Sequence, residues 1–175
     1  MIVVFRPCFF LLFFFGIAGG FFSCRHSNGG NSFECRGGVV RLETYSDSFS
    51  VLRFYLADSV MSEWRLRYPV YRFDYGDVNS DGVPEVAVGV IKPTRFFPTP
   101  QKRLFLIRIN RYCQFRPLWL GSRLGDELVD FRIVRDSFPA RIVTTNISSS
   151  GCLSSSQFIL GAFGPDFEHY IDLSK

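Results

Sequence analysis

Apolar residues fall on alternate positions through most of this chain. Trp64, Leu66 and Tyr68 are interleaved with Glu63, Arg65 and Arg67, and Tyr71, Phe73 and Tyr75 with Arg72 and Asp74. Side chains alternating in this way occupy the two faces of a half-buried strand, whereas a helix needs an apolar stripe at every third or fourth residue. No sustained stripe of that kind occurs. Residues 51–56, 85–91, 103–110, 112–119, 128–135, 141–147, 157–163 and 167–173 continue the pattern, giving about ten candidate strands. Turn signals separate them, among them Asn79-Ser80-Asp81-Gly82 and Phe163-Gly164-Pro165-Asp166. Short strands and tight turns predict an antiparallel all-β domain, built as propeller-blade-like sheets or, alternatively, as a β-sandwich.

The N-terminus follows another rule. Residues 1–22 carry one charged side chain, Arg6, ahead of a run from Cys8 to Phe22 that is almost entirely Phe, Leu, Ile, Ala and Gly. A bilayer-spanning helix needs about 20 apolar residues. This run is shorter, broken by glycine and stopped at Ser23-Cys24-Arg25-His26, so it predicts an export signal. Phe21-Phe22-Ser23-Cys24 resembles the lipobox of bacterial lipoproteins, in which a small residue precedes the cysteine that is acylated and becomes the mature N-terminus. The resemblance implies a signal peptide over residues 1–23, lipidation at Cys24 and a membrane held through that anchor. Arg25 stands where an aspartate favours inner-membrane retention in such proteins, which implies the outer membrane. Cleavage after Gly20, with Ala18 and Gly20 as the small pair, is the alternative and would leave a secreted or periplasmic protein. Residues 24–38, rich in Gly, Ser and Asn, predict a flexible tether. Residues 39–175 then suffice for one domain with a real core.

Within that domain, Asp77-Val78-Asn79-Ser80-Asp81-Gly82-Val83-Pro84-Glu85 places oxygen-bearing side chains at alternate positions around a glycine turn and runs into Val86-Ala87-Val88. A calcium ion needs six to eight oxygen ligands at once, and closely spaced carboxylates and a carboxamide on a tightly turning backbone can supply them. An EF-hand is excluded, because its twelfth loop position would be Val88 and because Pro84 and the β-branched residues after Glu85 oppose a flanking helix. The stretch from Tyr75 to Val90 instead resembles the calcium loop of FG-GAP and integrin-α-type repeats, which joins two strands of a propeller blade. The resemblance implies side-chain ligands at Asp77, Asn79, Asp81 and Glu85, a backbone-carbonyl ligand at Val83, and Ca2+ as cofactor. The same residue types also form metal-free turns through their own side-chain hydrogen bonds. Three acids on one loop repel one another unless a cation or solvent screens them.

Other segments bear on partners and chemistry. Residues 92–100 hold three prolines and adjacent Phe96 and Phe97, predicting an extended surface loop whose phenylalanines fold back over the core; turned outward, they would form an apolar patch suited to a partner. Residues 148–156 predict a polar hairpin loop carrying Cys152. With Cys24 lipidated, Cys35, Cys113 and Cys152 are an odd set that allows one bridge without indicating the pair. His169 alternates with Phe167 and Ile171 and is expected to face the core. A Cys152–His169 pair is conceivable for nucleophilic chemistry, but its surroundings match no recognised context, and Asp126 and Glu127 read as solvated turn residues. The formal charge is +4, and its arginines are scattered among acids, which argues against a nucleic-acid partner. The expectation is therefore a non-enzymatic, membrane-anchored β-module that binds a protein or glycan at the cell envelope. Alternatives are a structural subunit of an envelope assembly and, less favoured, an unrecognised hydrolase.

Overall fold

The computed structural model describes residues 30–172, so the export signal, Cys24 and the alternative cleavage point lie outside the described residues. Twelve strands follow in order: β1 (Ser32–Cys35), β2 (Gly38–Ser46), β3 (Phe49–Leu56), β4 (Ser59–Leu66), β5 (Val70–Gly76), β6 (Glu85–Lys92), β7 (Gln101–Ile109), β8 (Phe115–Leu120), β9 (Glu127–Val134), β10 (Arg141–Ile147), β11 (Leu153–Gly161) and β12 (Gly164–Ile171). There is no helix among the described residues. Each set of four consecutive strands forms its own antiparallel sheet, β1 to β4, β5 to β8 and β9 to β12, with chain neighbours also sheet neighbours. The alternation of the sequence thus becomes three meanders of blade-like connectivity. The β1–β2 and β3–β4 connections are two-residue turns with positive φ at both positions, Arg36 (49°) with Gly37 (74°) and Ala57 (46°) with Asp58 (64°). That geometry matches the twist of the flanking strands.

The sheets pack face to face, and the second is the middle layer. One core joins Phe33, Leu52, Phe54 and Leu66 of the first sheet to Val86, Val88, Phe105 and Ile107 of the second. A second core joins Ala87, Leu104 and Leu106, from the opposite face of the same middle strands, to Phe131, Ile133, Ile142 and Phe158 of the third sheet. Strands buried on both faces need apolar residues at every position, which accounts for the unbroken Val86-Ala87-Val88 and Leu104-Phe105-Leu106-Ile107 runs. Each fully buried side chain of this size contributes about 1.5–3 kcal/mol. Specific contacts fix the stacking. The Phe33 and Tyr75 rings stack at 4.3 Å, and the Phe115 amide donates to Ser62 Oγ at 3.2 Å.

Several expectations need correction. The part of the predicted tether that is described contains a strand: β1 pairs with β2, and Phe33 and Cys35 are buried, because two apolar residues one strand-period apart suffice once a neighbouring strand supplies the face. The serine-rich run is only partly a loop, since Ser154, Ser155 and Ser156 lie in β11 and the last two are buried. Their backbone pairs with β10, and Ser155 Oγ donates to Thr144 O at 3.0 Å, so serine is accommodated there by hydrogen bonding. His169 is exposed, as are Phe167 and Tyr170, because β12 is the edge strand of its sheet and no layer covers it among the described residues. Phe96 and Phe97 turn outward, Phe96 being 82% exposed. The thiols of Cys113 and Cys152 are free, half-buried and exposed respectively, so neither is bridged to the buried Cys35.

Candidate calcium loop

The loop of residues 77–85 connects β5 to β6 at the seam between the second and third sheets. Its base is held by Asp74. The Asp74 carboxylate accepts the Ile133 amide (2.7 Å), the Tyr75 amide (2.9 Å) and Arg135 Nη1 (2.7 Å), while Arg135 also donates to Tyr75 O (2.6 Å). The Ala140 amide donates to Asp77 O at 2.8 Å. The start of the loop is therefore fastened to β9 and to the segment before β10. Asp74, Arg135 and Ala140 were not singled out from the sequence. The available signal was Asp74 itself, an acid between two aromatic residues, Phe73 and Tyr75.

From that base the loop turns on its own side chains. Asp77 Oδ2 accepts the Gly82 amide (2.8 Å) and Oδ1 the Asp81 amide (3.2 Å); Asn79 Oδ1 also accepts the Asp81 amide (2.9 Å), and Asp81 Oδ1 accepts the Val83 amide (2.9 Å). These are the side-chain-to-backbone bonds by which Asp and Asn build turns. Ser80 and Gly82 adopt φ of 65° and 79°, a region that glycine enters without strain and serine does not. Glu85, the first residue of β6, points inward and is 1% exposed. Its Oε2 accepts the Val78 amide at 3.1 Å, and its Oε1 accepts Asn79 Nδ2 at 2.7 Å. The same Nδ2 donates to Asp81 Oδ2 at 3.2 Å.

The carboxamide nitrogen of Asn79 thus stands between two carboxylates. Burial pushes the Glu85 carboxyl up to about 8, with the Asp81 and Asp77 charges adding to the rise and the Val78 amide opposing it. The structure brings Asn79, Asp81 and Glu85 together, while the Asp77 carboxylate faces the Asp81 and Gly82 amides. Among the described residues, no three His, Cys, Asp or Glu side chains converge as direct ligands of one ion. The donors nevertheless fit calcium in kind, being hard oxygens in a tight loop. A half-turn of the Asn79 carboxamide would exchange Nδ2 for Oδ1 beside Asp81 and Glu85, converting a site closed by a hydrogen-bond donor into one lined by oxygen.

Cys152 and His169 do not form a pair. Gln157 is the partner of His169 across β11 and β12, five positions along the chain from Cys152, which is roughly 17 Å of extended strand. No family model, curated protein or solved structure matches this chain.

Proposed function

We propose that the protein is a β-module of the cell envelope, anchored through Cys24, that binds a protein or glycan and uses Ca2+ in the loop of residues 77–85 to fasten β5 to β6. The observation that carries the calcium part is the buried Glu85 carboxylate, which shares the Asn79 Nδ2 donor with Asp81. A divalent cation there would hold Glu85 ionised, offset the repulsion among Asp77, Asp81 and Glu85, and tie the loop to the middle sheet. Its role would be to stiffen the seam between the second and third sheets, leaving recognition to exposed surfaces. Support for a binding role comes from the exposed aromatics Phe96, Phe163, Phe167 and Tyr170. The two edge strands of each sheet, β1, β4, β5, β8, β9 and β12, are also what an assembly subunit would use, which keeps that reading as the second one.

Thermal and denaturant unfolding in calcium and in chelator tests the site. At a hundredfold excess over the dissociation constant, calcium should add about 2.7 kcal/mol. Asp81→Ala should remove that increment, and superimposable curves in calcium and chelator would refute the site. Mass spectrometry of the mature N-terminus decides lipidation: a diacylated or triacylated Cys24 supports the anchor, and a free N-terminus at Phe21 excludes it.

A further inference from the structure

We propose that a cleft between the proline-rich loop before β7 and the β8–β9 connection binds the carboxylate group of a ligand, through Arg103 and Arg123. This stands apart from the calcium loop, and it deepens the binding role by naming the chemistry recognised. The cleft has a volume of about 170 Å³ and is lined by Phe97, Gln101, Arg103, Arg123, Asp126 and Glu127 among others. That is room for a carboxylate on a short carbon chain.

Arg103 carries the inference. It sits on β7 with only 5% of its surface exposed, yet among the described residues its Nε–H has no partner and its one side-chain hydrogen bond runs from Nη2 to Gln101 Oε1 at 2.9 Å. Neither Arg103 nor Arg123 forms an ion pair among the described residues. A buried guanidinium with an unmet donor is costly, and the partner that best removes the cost is a planar oxyanion able to take parallel N–H bonds. Burial and the neighbouring Arg123 charge both lower the Arg103 pKa, with Glu127 opposing, so the cleft already disfavours its own positive charge.

The rest of the cleft fits a single negative charge. Both guanidiniums lie over the Phe97 ring, Arg103 at 5.7 Å and Arg123 at 5.6 Å from its centre, and the attraction of each cation to the ring counters their mutual repulsion. Gly121 lets the β8–β9 connection press down on β7: at φ 75°, a methyl group there would lie 3.1 Å from Arg103 Cβ. Asp126 and Glu127 line the same cleft and would repel a phosphate dianion more strongly than a carboxylate.

The test is an NMR titration of the Arg103 Nε–H resonance in 15N-labelled protein, with sodium acetate, sodium phosphate, the peptide acetyl-Ala-Glu-Ala-amide, and sodium chloride at matched ionic strength. A saturable shift with acetate or peptide, absent with chloride, is expected. Tighter binding of acetate than peptide identifies a small free carboxylate as the ligand type; tighter binding of peptide identifies an acidic side chain. Arg103→Lys should abolish the response, read on the Phe97 ring signals. Because Arg103 is buried, the exposed Arg123→Gln is the second variant, and it should weaken binding roughly fivefold, the size of an exposed ion pair, without altering the melting temperature. A response to acetate and peptide no different from chloride would overturn the proposal, as would tighter binding of phosphate or unchanged affinity in Arg123→Gln.

Discussion

Glu85 and Arg103 are both charge-bearing side chains buried on the two inner strands of the middle sheet, and they are treated in opposite ways. Glu85 is met by donors from its own loop, the Val78 amide and the Asn79 carboxamide, all within seven residues. Arg103 is met by Gln101 and Phe97 from its own stretch of chain and by Arg123 from the β8–β9 connection, and among the described residues its Nε remains unmet. A local loop can close on its own polar groups because the chain that brings the acid also brings the amides. A cleft closed by a second, distant segment has no such guarantee, and what it leaves open is available to a ligand.

The comparison can be broken first at Glu85. In chelator, the folded chain keeps a proton on Glu85 between the ordinary value of 4.5 and about 8, while the unfolded chain has released it. The contribution is therefore fully present below pH 4.5 and lost as pH rises through about 8, a fall of roughly 5 kcal/mol. Denaturant unfolding across that range should show the slope, and Glu85→Gln should flatten it; an unchanged slope would mean that the loop does not hold Glu85 as described. Next in size is Gly121→Ala, which forces a left-handed φ on alanine and places a methyl 3.0 Å from Phe105 Cε1. A loss of about 2 kcal/mol is expected, together with weaker acetate binding.

Arg103→Met tests the other side of the comparison. Removing an unpaired buried donor while keeping the packing volume should leave the protein unharmed or more stable by about 1 kcal/mol in carboxylate-free buffer. A loss of several kcal/mol would show that Arg103 has a structural role beyond its bond to Gln101. The smallest effect belongs to Ser80→Gly, which relieves a left-handed serine and should raise the melting temperature by the equivalent of about 0.5 kcal/mol. In calcium the gain should persist, because the Ser80 side chain belongs to none of the proposed ligands.

The strands from β3 to β10 were legible because period-two alternation is written into consecutive residues. At the two ends of the chain the same rule misled. Phe33 and Cys35 offered too short a pattern to stand out from a Gly- and Asn-rich segment, and Ser155 and Ser156 hide a buried strand behind polar side chains. On β12 the alternation of Phe167, His169 and Ile171 suggested a buried face, but an edge strand that no described layer covers exposes Phe167 and His169 alike. The turn of residues 77–85 was visible, since its internal side-chain bonds lie within one stretch, whereas its anchoring by Asp74, Arg135 and Ala140 was not. The donor role of Asn79 and the depth of Glu85 were not, because they depend on how the loop folds against β6. Phe97, Arg103 and Arg123 gave no signal together: their meeting depends on the course of two loops, and outward Phe97 became meaningful only beside two guanidiniums.

The double-sided burial of β6 and β7 has a consequence for how the molecule opens. Their amides cannot reach solvent by the peeling of either outer sheet alone, because the remaining layer still covers one face and the ladder between the two strands stays intact. Hydrogen exchange should therefore divide the chain into three tiers. Edge strands such as β12 exchange through local fraying, inner strands of the outer sheets through detachment of one layer, and Val88 and Leu106 only through global unfolding, so that their protection reports the stability of the whole protein.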